Sequence, residues 1–394
     1  MFRHVHAALR RIQSEVAQVL DASQILAVCS DVGYRFRQRV LDPVTTIHLF
    51  VIQILNGNFA IARLRDFTDC VFTEAAYCDA RLRLPLKVLQ GLLERVGTAL
   101  RPTMGDDQGR WHGHRTFHVD GSSFSMPDTP PLQKEFGQPG AQRPGCGFPI
   151  AHLLTLFHAH TGFLLRVLAA PLRTHDMSQV ALLHPALQAG DVLIGDRAFG
   201  SYAHFALLRA RQLHGVFRAH QKVIVNFRPG RACNGPDTGP HVKGLPCSRW
   251  LRRLGVRDQL VEYHKPKLGP TWMPEDQFAT LPQSLTLREL RYNVLQRGCR
   301  TKQVTLATTL LDPQEYSAQA LADLYGHRWH IETNLRHLKQ TMKMDILHCK
   351  TVNGVLKELT VFALVYNLVR TVMHAAAIRQ EVSVDRISFA DALG

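Results

Sequence analysis

A chain of 394 residues with 45% hydrophobic content carries enough apolar mass for a sizeable core and two or three domains, and its formal net charge of +15 favours a polyanionic partner. Eight cysteines without a C-x2-C pair speak against a zinc finger and for reduced thiols in a cytoplasmic protein. No signal peptide opens the chain and no apolar run reaches about 18 residues, so no membrane span is expected.

Residues 1 to 105 read as a helical domain. Val5 to Leu20 is amphipathic, Pro43 to Asn56 is an apolar helix with proline in its first turn, and Leu86 to Leu100 is amphipathic again. Between them, in Tyr-Arg-Phe-Arg-Gln-Arg, Arg35, Arg37 and Arg39 alternate with other side chains, a pattern that suits phosphate contacts or a solvated connector. After the loop Gly105 to Gly109, strand patterns take over. Thr116 to Val119 leads into Asp120, Gly121 to Pro127 breaks the strand, and a polar stretch to Pro149 reads as a surface loop. Ile150 to His158 and Phe163 to Ala169 form a hairpin. Met177 to Leu187 is helical, Asp191 to Gly195 is a short buried strand with Asp196 at its end, Ser201 to Arg211 is helical, and Gly215 to Arg218 is a strand.

Residues 221 to 303 are a basic, β-rich block. From 211 to 302 there are 17 Lys and Arg against 6 Asp and Glu, so under a quarter of the chain holds most of the excess charge. Lys222 to Phe227 and Arg288 to Leu295 are strand-like pieces within it. Gln303 to Leu310 is a further strand, and Ser317 is placed to cap the helical region that follows.

That region contains the stretch with the most chemistry. On a helix, Tyr325, Arg328, Glu332, Arg336, Lys339 and Lys343 fall within an arc of about 80°, and Leu324, Ile331, Leu335, Leu338 and Met342 fill the neighbouring arc. One carboxylate thus stands in a row of cations. An ordinary solvated face with i, i+4 ion pairs has the same pattern. Asp120 before Gly121 is also a common turn former, and Asp196 before Arg197 a common ion pair or cap. The alternative is that the three acids converge where strands end. Such a trio needs a cation: Mg²⁺ takes oxygen ligands, and two ions can serve the attacking and leaving oxygens of a phosphodiester.

These parts resemble the DDE transposases of bacterial insertion sequences, in the family named after insertion sequence four. The resemblance rests on His118-Val-Asp-Gly-Ser122, on Asp191-Val-Leu-Ile-Gly-Asp-Arg-Ala-Phe-Gly-Ser201, and on the signature Y-x2-R-x3-E-x6-K met by Tyr325, Arg328, Glu332 and Lys339. It covers roughly residues 105 to 375 and implies an α/β fold: a ribonuclease H-like mixed-sheet core in two parts (106–220 and 304–350) around the 221–303 insertion; beside it stand the helical N-terminal domain (1–105), a candidate for DNA end binding that fits the family only loosely, and a C-terminal helical segment (351–394). It further implies Asp120, Asp196 and Glu332 as catalytic metal ligands for Mg²⁺ or Mn²⁺, two ions in all. Tyr325, Arg328 and Lys339 would hold the DNA backbone, with Arg336 and Lys343 as additions from the helix face. The partners would be double-stranded DNA, both transposon ends and target, and a second copy of the chain on DNA. Two other readings remain beside DNA strand cleavage and transfer: a transposase-derived DNA-binding protein without activity, and a metal-dependent nuclease. Some relatives pass through a DNA hairpin and use an aromatic on the strand before the glutamate helix. Gln303 to Leu310 has none, and Trp250 and Trp272 stand in the insertion as substitutes or as core, so the hairpin step stays open.

Overall fold

Asp42 starts the first strongly apolar helix: its carboxylate accepts a hydrogen bond from the Thr45 amide at 2.7 Å, and Pro43 takes the first turn, where a missing N–H costs nothing. The computed structural model describes residues 18–104, 109–140, 143, 147–235, 241–294 and 303–393. Nearly all of Val5 to Leu20 and most of the Gly105 to Gly109 loop lie outside the described residues. In chain order the main elements are α1 (Ala22–Asp31), α2 (Pro43–Leu55), α3 (Glu74–Arg83), α4 (Leu86–Ala99), β1 (Thr116–Ser125), α5 (Pro130–Phe136), β2 (Ile150–His158) and β3 (Leu164–Pro171). There follow α6 (Asp176–Val180), β4 (Val192–Gly195), α7 (Tyr202–Ala210), β5 (His214–Arg218), β6 (Ser248–Gly255), β7 (Asp258–His264), β8 (Ser284–Asn293) and β9 (Gln303–Thr308). The last are α8 (Ala318–Gly326), α9 (His330–Arg336) and α10 (Val352–Gln380). The protein is thus mixed α/β.

The chain divides into two discontinuous units. The first comprises Met1–Asp106, Gly121–Arg173 and Glu332–Gly394, and the second Asp107–Asp120 and Thr174–Ile331.

In the first unit α10 is the central element, packed on α4, α2 and β3. It is longer than its apolar stretch suggests, and its most apolar window has the mean hydropathy, 1.5, of a membrane span, yet 67% of that window is buried within the protein. Its polar side chains are committed. Asn367 both donates to and accepts from the Leu164 backbone at 2.8 Å, Tyr366 Oη donates to Gly162 O at 3.0 Å, and Arg370 donates to Thr161 O. Lys357 Nζ donates to the carbonyls of Arg81 and Leu82 at the end of α3. These bonds hold the antiparallel β2–β3 hairpin, in which Leu153 faces Ala169. Buried polar groups left without partners would each cost about 1–3 kcal/mol, so the bonds fix where α10 sits against the hairpin turn.

In the second unit the strand order is β1-β4-β5-β9-β8-β7-β6. β1, β4 and β5 run parallel, β9 is antiparallel to β5, and β9, β8, β7 and β6 form an antiparallel meander. Val192, Ile194, Val216, Leu290, Leu306, Leu321 and Leu324 make its core beneath α8. Burying each contributes about 1.5–3 kcal/mol. Ser317 caps α8, accepting from the Ala320 amide at 3.1 Å. Arg288, 1% exposed, is ion-paired with Asp258 at 2.5 Å and donates to Tyr316 O at 2.6 Å.

Four local expectations differ from the structure. β1 does not break at Gly121 but continues to Ser125, because Ser125 pairs with the backbone of Asp345 and Leu347, a partner no local pattern reveals. The polar stretch before Pro149 contains α5, whose Leu132 and Phe136 are buried. Met177 to Leu187 is two short helices, Asp176–Val180 and His184–Ala186, with Pro185 in the first turn of the second. Lys222 to Phe227 is not a strand: side-chain turns hold it, as where Asn226 accepts from the Arg228 amide at 2.9 Å, and Val223 and Ile224 are 40% and 43% exposed.

Candidate active site

Two of the acids stand near the point where neighbouring parallel strands cease to pair, Asp120 within β1 and Asp196 directly after β4. His118 of β1 lies opposite Ile194 of β4 at the end of the parallel ladder, and Asp120 and Asp196 each follow two residues later in their chains. Strands so paired are about 4.8 Å apart, and residues in register point to the same face. Gly195, between them in sequence, has no room for a side chain: a Cβ there would lie 2.9 Å from Val119 Cγ1 and 2.8 Å from the Phe199 ring.

The turn after Asp196 is fixed from below. Asp196 Oδ1 accepts from the Ala198 amide at 2.8 Å, and Phe199 is buried. His204 on α7 donates through Nδ1 to Phe199 O at 2.8 Å, which leaves its Nε2 to accept from His184 Nε2 at 3.1 Å. Burial pushes His184 down to about 3 and His204 down to about 4. The folded protein therefore binds fewer protons than the unfolded chain from about pH 6.5 down to those values, so stability falls as pH drops through that window. Thermal denaturation across the window should show the fall, and His204→Leu should make it shallower; equal slopes would remove the pair from this role.

Arg328 and Tyr325 complete the cluster in this unit. Arg328 Nη1 is 3.5 Å from Asp120 Oδ2, with both side chains largely shielded. The guanidinium carbon is 6.0 Å from the Tyr325 ring centre. Tyr325 is only 8% exposed and belongs to the core cluster with Val192 and Val216, so it is a packing residue as much as a surface one. Burial raises its phenol pKa against the lowering effect of Arg328 and Arg218, and Asp196 adds to the rise, so the hydroxyl stays protonated at neutral pH. Beside Asp196 opens a cavity of about 820 Å³ whose lining includes Arg197, Lys222, Lys243, His175, His220 and His241. The charge count of the basic block pointed to this region, but no motif marked these residues.

In the first unit, Glu332 and Arg336 are exposed on α9, while Ile331, Leu335, Leu338 and Met342 are buried. The apolar arc thus forms as expected, but the helix is not continuous. A 3-10 turn at His327–Trp329 precedes α9, and a π-helical turn at His337–Thr341 follows it. Lys339 lies in that π turn and donates to Ser122 Oγ at 3.1 Å. Lys343 is past the helix, at φ +64, with its stem beside Gly57, so it does not share the helix face. Trp250 is on β6 with its indole nitrogen buried.

Asp120 and Asp196 have the chemistry for a hard divalent ion: two carboxylates, each two residues past the last pair of the β1–β4 ladder and partly open to solvent. Among the described residues no group of three or more His, Cys, Asp or Glu side chains is close enough to hold one ion.

A family model described as transposase DDE domain matches residues 111–368. The chain is 28% identical over 273 residues to transposase InsG for insertion sequence element IS4 of Escherichia coli (strain K12), which covers 66% of this chain and 52% of that protein. It therefore spans about half the length of that curated relative. In a search by structure, the piggyBac transposase of a synaptic complex with hairpin DNA matches at a TM-score of 0.44 and 10% identity, covering 100% of this chain and 75% of that one.

Proposed function

Since the chain belongs to the transposase DDE domain family, we propose that it binds the ends of an insertion sequence and cuts and joins DNA strands there, with Asp120, Asp196 and Glu332 as the acids that hold divalent metal. The observation that supports this is the parallel pairing of β1 with β4, whose last pair, His118 and Ile194, stands two residues before Asp120 and Asp196, with Arg328 of the signature 3.5 Å from Asp120. We read the parallel strands β1, β4 and β5 with their helices as a ribonuclease H-like core in the segments 106–220 and 304–350. In this reading 221–303 is its basic insertion, 1–105 a helical end-binding part and 351–394 a helical closing segment.

Asp120, Asp196 and Glu332 would hold divalent ions, two Mg²⁺ or Mn²⁺ in this proposal, and these would supply activation of the attacking oxygen and stabilisation of the leaving one. Asp120 and Asp196 supply oxygen ligands and Glu332 the third carboxylate. Arg328 offers a planar fork that grips a phosphate through two hydrogen bonds, and Tyr325 offers a protonated hydroxyl. Lys222, Lys243 and Arg197 line the cavity beside Asp196, where they hold the strand by charge and without regard to sequence. Lys339, Arg336 and Lys343 add cations in the other unit. The protein is read as cytoplasmic and as a dimer on two DNA ends.

Incubation with end-bearing duplex DNA and Mg²⁺ tests the reading. Joined products support it, bound but uncut DNA marks a binding protein without activity, and cut but never joined DNA marks a nuclease. Lys339→Ala should weaken DNA binding and flatten the log–log salt dependence by about 0.9. An unchanged slope would confine Lys339 to its bond with Ser122.

A further inference from the structure

The π turn His337–Thr341 is an unusual piece of backbone in the first unit, and it carries Lys339. Its wide closure is explicit: the Met342 amide donates to His337 O at 2.9 Å, five residues back. Such turns are rare, and one persists where its surroundings over-determine it.

What holds this one is a column of rings. His337, the first residue of the turn, stacks on Phe389 with ring centres 4.4 Å apart and planes 13° from parallel. Phe389 opens α11 (Phe389–Leu393), is 3% exposed, and lies beyond the residues that the family model matches. It stacks in turn on Tyr366 of α10 at 5.6 Å, and Tyr366 meets Phe157 of β2 edge-on at 5.7 Å. The Tyr366 hydroxyl is bonded to Gly162 O, so the column ties the π turn to the fixed centre of the unit.

His337 Nδ1 is buried with no hydrogen-bond partner among the described residues. Burial, with the charges of Arg370 and Arg336, pushes the His337 pKa down to about 4, so the ring is uncharged at neutral pH. Stacking, not a bond to that nitrogen, places it. Aromatic pairs prefer defined offsets and angles, whereas aliphatic burial is non-directional, so the stack fixes the orientation of the turn as well as its position. Lys339, two residues on and half-buried, reaches Ser122 Oγ at 3.1 Å with one of its three donors. Two donors remain for a phosphate.

We propose that Phe389 is a positioning residue for DNA binding: by clamping His337 it sets the π turn that aims Lys339 at the phosphate backbone. The inference rests on the reading of Lys339 as a backbone contact. It adds that this contact is set from α11, which gives the closing segment a task in the reaction.

The full chain is titrated with a fixed DNA duplex in EDTA at several salt concentrations, and thermal midpoints are recorded beside the slopes. Lys339→Ala removes one phosphate contact, about 0.9 of log–log slope. Phe389→Ala should flatten the slope by the same amount, and the double variant should lose no more than either alone. Phe389→Trp and His337→Phe, which keep a stacked pair, should bind with the unsubstituted slope. His337→Ala should behave as Phe389→Ala does, and it carries the test where Phe389→Ala folds poorly. A lowered midpoint with an unchanged slope in both alanine variants would make the column a structural prop only and overturn the inference, while Lys339 kept its role. Losses that add in the double variant would overturn it too, since Phe389 would then act apart from Lys339. If Lys339→Ala itself left the slope unchanged, the reading of that lysine would fall first, and this inference with it.

Discussion

Glu332→Gln should stop DNA cleavage while DNA binding survives. The change keeps the side chain's shape and removes only its charge and its capacity as a metal ligand. We expect cleavage to fall by at least about a thousand-fold, on the order of 4 kcal/mol in the barrier. Glu332 is exposed on α9, and substitutions at such positions typically change stability by no more than about 0.5 kcal/mol. Measured side by side, cleavage with Mg²⁺ and binding in EDTA should therefore separate: the first lost, the second kept. If binding or folding went instead, Glu332 would be an ordinary ion-pair residue between Arg328 and Arg336, and the catalytic reading of the signature would fail.

The largest loss of stability is expected at Asp258. Its partner Arg288 is 1% exposed and makes two charge-assisted hydrogen bonds to the Asp258 carboxylate, at 2.8 and 2.5 Å. Arg288 also reaches the Tyr316 carbonyl, next to the Ser317 cap of α8. Removing the acid strands a guanidinium inside the protein, which typically costs about 3–5 kcal/mol. Asp258→Ala should lower the denaturant midpoint accordingly, and Asp258→Ala with Arg288→Met should recover much of the loss, because the uncompensated charge is then gone. A single variant as stable as the starting protein would show that water reaches Arg288.

The parallel strand that leads into Asp196 was legible because it is a local pattern, a short apolar run followed by a turn. The apolar arc of Ile331, Leu335, Leu338 and Met342 was equally legible, since period 3.6 is read directly. Three features were not. The extension of β1 to Ser125 depends on a pairing with Asp345 and Leu347, more than two hundred residues on. The π turn that presents Lys339 to Ser122 changes the helical phase, and no residue type announces it. The cavity beside Asp196 gathers Lys222 and Lys243 from a segment without regular structure, where periodicity has nothing to report.

The helix Val352–Gln380 packs against Leu86–Ala99 and Pro43–Leu55, and its Lys357 closes the end of Glu74–Arg83. During synthesis the early helices therefore emerge long before the element that covers them. Contacts of such sequence separation form slowly. Until the ribosome has released the late helix, the apolar faces of those early helices stay open to chaperones and to aggregation, and no partly made chain has a finished first unit.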